Sequence, residues 1–107
     1  MTESATSTRD DLLAAVYGAR GESLLRQLAG EWLLVPIRTS PADFHAIFSV
    51  NEVGAAIWGE LDGTRPLGTV LERLLDRFDA PAEKVAGDLF DFVEQLETAG
   101  LVERRGP

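Results

Sequence analysis

The chain has 107 residues, enough for one hydrophobic core and too few for two. At 45% hydrophobic and 26% charged residues it is neither a disordered chain, nor a collagen-like repeat, nor a polytopic membrane protein. Asp and Glu total 18 against 10 Lys and Arg, a formal charge of -8, with no cysteine and one histidine; this composition disfavours nucleic acid and anionic membranes as partners and excludes disulfides, thiolate metal sites, cysteine nucleophiles and paired-histidine sites.

In chain order, residues 1–8 are small and polar, with no basic start or apolar core of a secretory signal, which points to the cytoplasm. Residues 9–17 predict a short helix: Leu12, Leu13, Val16 and Tyr17 share a side, Thr8 can cap it, and Gly18 can stop it. Residues 1–20 therefore read as an N-terminal arm, partly flexible, ahead of a domain over 21–107. The runs 22–28 and 31–37, joined by Ala29-Gly30, predict a β-hairpin. Trp32 and Leu34 fall on one face of its second strand and Leu33, Val35 and Ile37 on the other, so both faces call for cover. Residues 39–43 read as loop, and the alternation over 44–50 predicts a third strand.

Three helices follow. The first runs to about Leu61, capped by Asn51 or Ser49, with Val53, Ala56, Ile57 and Leu61 as its stripe and Asp62-Gly63 as its stop. The second starts near Pro66 and carries Leu67, Val70, Leu71 and Leu74. The third spans 81–99, with Val85, Leu89, Phe92 and Leu96 as core face; Gly100 ends it, and Leu101-Val102 folds back on the core. Three strands followed by three helices predict an α+β domain with its helices grouped against a small antiparallel sheet.

The block Asn51-Glu52-Val53-Gly54-Ala55-Ala56-Ile57-Trp58, joined to Leu61-Asp62-Gly63, and the ending Gly100-Leu101-Val102 resemble the PqqD family of peptide chaperones. Their domain is also called the RiPP recognition element. The resemblance covers roughly Glu22 to Glu103. It implies a winged-helix-like fold that binds the leader segment of a ribosomally made precursor peptide as an extra strand beside the third strand, against the third helix. It also implies a carrier that does no chemistry itself, needs no cofactor or metal, and presents the peptide to a modifying enzyme such as a radical or ATP-dependent maturase.

On that basis His45, Ala46, Ile47 and Phe48 are the expected pairing edge, since no proline or blocking charge interrupts them. On the third helix, Ala86, Phe90, Val93 and Glu97 form a stripe flanking the core face. Phe90 has two readings: the floor of a groove for an apolar leader residue, or packing under the N-terminal arm against Leu12 or Tyr17. The 45–48 run likewise reads alternatively as a covered core strand. Trp32 and Trp58 read as core. Glu83, Asp88, Asp91, Glu94 and Glu97 read as a solvated face, and Arg104-Arg105 as a frayed basic end. No catalytic set emerges, because Asp43, His45 and Ser49 at spacing two along one strand do not make a triad. The competing function is a winged-helix interaction or regulatory domain that binds a folded partner. DNA binding is disfavoured, as the second and third helices offer only Arg73, Arg77 and Lys84 among more numerous acids.

Overall fold

The computed structural model describes residues 11–37 and 48–106. The hairpin forms as its pattern dictates. Strands β2 (Glu22–Leu28) and β3 (Glu31–Ile37) pair antiparallel around a two-residue turn, with Leu28 opposite Glu31. Ala29 and Gly30 both sit at positive φ, 52° and 83°, the geometry that matches strand twist in a tight hairpin. Strand β4 (Phe48–Val50) adds to the far side of β3 and completes a three-stranded antiparallel sheet ordered β2-β3-β4. Residues 39–47, which hold the expected loop and the start of the expected third strand, lie outside the described residues.

Helix α1 (Glu52–Glu60) starts at Asn51, whose side-chain oxygen accepts from the Gly54 N–H at 2.7 Å. Ser49, the other capping candidate, instead donates to the Glu31 carboxylate at 3.2 Å across the sheet. Helix α2 (Leu67–Arg77) begins after Pro66, and its first N–H donates to the Ala15 carbonyl at 2.9 Å. The Glu60 carboxylate pins the corner between α1 and α2 by accepting from Arg65 and Arg73. Helix α3 (Ala82–Thr98) ends with Gly100 at positive φ. There the Gly100 N–H donates to the Glu97 carbonyl and the Leu101 N–H to the Leu96 carbonyl, a doubly bonded stop that turns Leu101 into the core.

The two ends of the described chain depart from the expected layout. Of the short helix expected over 9–17, the described residues show a helical turn at 11–14, whereas Val16 and Tyr17 belong to strand β1 (Val16–Ala19). Strand β1 pairs antiparallel with β5 (Val102–Gly106), so the fold holds a second, two-stranded sheet, and a strand follows the helices. This long-range pairing overrides a short local helical pattern. Arg104 and Arg105 are accordingly not frayed: Arg105 donates to the Ala19 carbonyl at 2.7 Å, and Arg104 reaches Asp11 at 3.3 Å. Gly18 crosses Gly63 so closely that a Cβ on Gly18 would stand 3.0 Å from the Gly63 Cα, and the Gly63 N–H donates to the Tyr17 carbonyl.

The core gathers Ala15 and Tyr17 from the N-terminal side and Leu34 from the sheet. The helices and the turn back contribute Ile57, Leu67, Val70, Leu74, Val85, Leu89, Val93, Leu96, Leu101 and Val102. Burial, and after it the Glu97 carboxylate, push the Tyr17 phenol above its ordinary pKa.

Candidate functional site

The face of the sheet that carries Leu25, Leu34 and Phe48 packs on the helices. At the β4 edge this packing stops short and leaves a cleft of about 270 Å³. Phe48 and Val50 of β4 form one wall, Val53, Gly54 and Ile57 of α1 the end, and Phe92 of α3 the other wall. Gly54 keeps the end open: a Cβ there would meet Val50 Cβ at 3.2 Å, Asn51 Oδ1 at 3.3 Å and Phe92 Cζ at 3.5 Å. A shallower hollow, lined by Phe48, Glu94, Gln95, Thr98 and Ala99, continues the surface along α3.

The rim is polar and acidic. Asp88, Asp91 and Gln95 line the α3 side, and no Lys or Arg is among the lining residues. Lys84 pairs with Asp88 at 3.5 Å, one turn up the helix, on the solvent side. Beyond β4 no further strand pairs among the described residues, so the described part of the sheet ends at the cleft. The arrangement can do two things for an extended chain: offer it backbone partners along β4 and take an apolar side chain between Phe48 and Phe92. Among the described residues no group of acidic or histidine side chains is placed to hold a metal ion.

Of the residues singled out in the sequence, Phe48 stands in this cleft, while His45, Ala46 and Ile47 lie outside the described residues. None of Ala86, Phe90, Val93 and Glu97 lines it. Ala86 and Val93 are buried in the core. Phe90 is half-buried and borders two hollows shared with Leu12, Leu13 and Tyr17, on the N-terminal side of α3. Glu97 accepts from the Tyr17 hydroxyl at 3.5 Å. The cleft residues of α3 are Asp88, Asp91, Phe92 and Gln95 instead, at helical spacings of three, four and seven. Their signal in the sequence is an aromatic set in an otherwise polar face; assigning Phe92 to the core conceals it.

A small α+β domain whose β4 edge, unpaired among the described residues, lies beside a cleft walled by Phe48 and Phe92 and rimmed by polar side chains has the form of a strand-capturing binding module. The family model described as "Coenzyme PQQ synthesis protein D (PqqD)" matches residues 31–102, and the chain belongs to that family. A relative from Rhizobium meliloti (strain 1021), called "PqqA binding protein", is 34% identical over 55 residues. That match covers 51% of this chain and 56% of the relative, so the chain spans little more than half the length of the curated protein it matches. No solved structure matches the chain significantly.

Proposed function

We propose that this chain is a non-catalytic module that binds the leader segment of a ribosomally synthesised precursor peptide and presents it to a modifying enzyme, such as a radical or ATP-dependent maturase. The observation that carries this reading is the edge of β4, unpaired among the described residues, opening directly onto the cleft between Phe48 and Phe92. Membership of the PqqD family and the name of the Rhizobium relative support it. The leader adds as a fourth strand on β4 and places one bulky apolar side chain in the cleft, and its next residues run along Asp88 and Asp91. Those carboxylates favour Lys or Arg beside the apolar anchor and disfavour an acidic leader. The stretch 45–47 extends the pairing edge, and the layout is of winged-helix type. Such a carrier works in the cytoplasm, where its peptide is made.

The test is an NMR titration of the labelled chain with a synthetic peptide from a small open reading frame beside its gene. Shifts at the amides of 45–50 and of Asp88, Asp91, Phe92 and Gln95 are expected. Shifts confined to β1 and β5 would overturn the reading.

A further inference from the structure

The opposite edge of the three-stranded sheet is also unpaired among the described residues, and it is the longer one. Strand β2 offers seven residues, with neither proline nor lysine to discourage pairing. Among the described residues the exposed large hydrophobics are Leu24 at 42%, Leu28 at 58% and Ile37 at 44%, all on the outer face of this hairpin. Leu33 and Val35 share that face, and no helix covers it among the described residues. Glu22 and Arg26 flank Leu24 on the same face, and neither has an ion-pair partner among the described residues.

We infer that β2 is a self-pairing edge through which two copies of the chain join their sheets about a twofold axis. The hydrogen-bond phase is set by the turn. A two-residue turn makes Leu28 and Glu31 the bonded pair that closes the hairpin, so Glu22, Leu24 and Arg26 direct their amides towards β3. Ser23, Leu25 and Gln27 then direct theirs outward, available to another strand. With the axis at Arg26, like charges would face each other across it. With the axis at Leu25, Glu22 would face Leu28 and Leu24 would face Arg26. With the axis at Leu24, Glu22 of each copy faces Arg26 of the other, and Leu24 meets Leu24 in a close, non-hydrogen-bonded pair. That register satisfies both charges and covers the central leucine, and it carries the choice of a second copy over any other partner. The result is a six-stranded sheet with a β4 edge, and hence a cleft, at each end. The inference stands whether or not those clefts take a leader peptide.

Sedimentation equilibrium of the full chain at sub-millimolar concentration tests it, with charge-swapped variants. The wild-type chain should show a concentration-dependent dimer. R26E should weaken it about tenfold, because two facing opposite-charge pairs become two repulsions. The double variant E22R/R26E should restore it, since the pairs are merely exchanged. Both positions are exposed, so at concentrations where the wild type is monomeric the variants should melt as it does. Because the chain has no cysteine of its own, L24C gives a second readout: it should form an intermolecular disulfide on mild oxidation, whereas the more exposed L28C should not. A monomer at every concentration, a dimer indifferent to R26E, no recovery in the double variant, or equal cross-linking of L28C would each overturn the inference.

Discussion

The ring of Phe92 lies over the bare face of Gly54: a Cβ added at Gly54 would come within 3.5 Å of Cζ, while the Asn51 cap and Val50 crowd it from the other side. One position in α1 therefore sets both the start of a helix and the depth of the cleft. Alanine for glycine within a helix ordinarily gains about 0.5–1 kcal/mol. Here the Val50 Cβ and the capping oxygen are tied to backbone and yield little, so Gly54→Ala should instead cost about 1 kcal/mol. Thermal melting gives the sign. Phe92→Ala should weaken peptide binding about tenfold, measured by calorimetry, because it removes a cleft wall. Phe90→Ala should leave affinity unchanged.

The hairpin turn carries a local cost. Ala29 holds φ at 52°, a region that Asn tolerates far better than Ala. Ala29→Asn should stabilise the protein by about 0.5–1 kcal/mol without touching the cleft. An unchanged or lowered midpoint would show that the turn relaxes in solution.

The acidic rim sets a charge preference. Neutralising it in the double variant Asp88→Asn, Asp91→Asn should lower affinity for a leader with Lys or Arg beside its anchor by about three- to tenfold. It should also flatten the decline of binding with added salt. A salt response identical to wild type would mean that the peptide does not pass along this side of α3.

Tyr17 makes stability depend on alkaline pH. Its phenol titrates higher in the folded protein than its ordinary value of 10.0, chiefly through burial and next through Glu97. Above the unfolded value the unfolded chain has released a proton that the folded one keeps, so stability is full below it and falls as pH rises towards the folded value. Melting curves across that window should decline more steeply for the wild type than for Tyr17→Phe.

The hairpin and all three helices are legible in the sequence because their signals are local: alternation around a glycine turn, apolar stripes at helical spacing, and stop signals at Gly63 and Gly100. Strand β1 is not. Its four residues carry two small ones, and their pairing partner lies at the other end of the chain, so a helical reading of Leu12, Leu13, Val16 and Tyr17 fits the local pattern as well. The cleft is half legible. Phe48 follows from the resemblance, but the side of α3 that faces β4 does not follow from apolarity. Small Ala86 and Val93 are buried where α3 meets the rest of the core, while larger Phe92 remains half-exposed at the cleft, so size ranks these positions wrongly.

The pairing of β1 with β5 also governs when the protein can fold. The core needs Leu101 and Val102, and among the described residues β1 has no strand to pair with until 102–106 are present. During synthesis those residues are still inside the ribosomal tunnel when the hairpin and the first two helices are already outside. Closure therefore waits until β5 has been made and has emerged, and until then the unpaired strand β1 and the apolar hairpin face are exposed together.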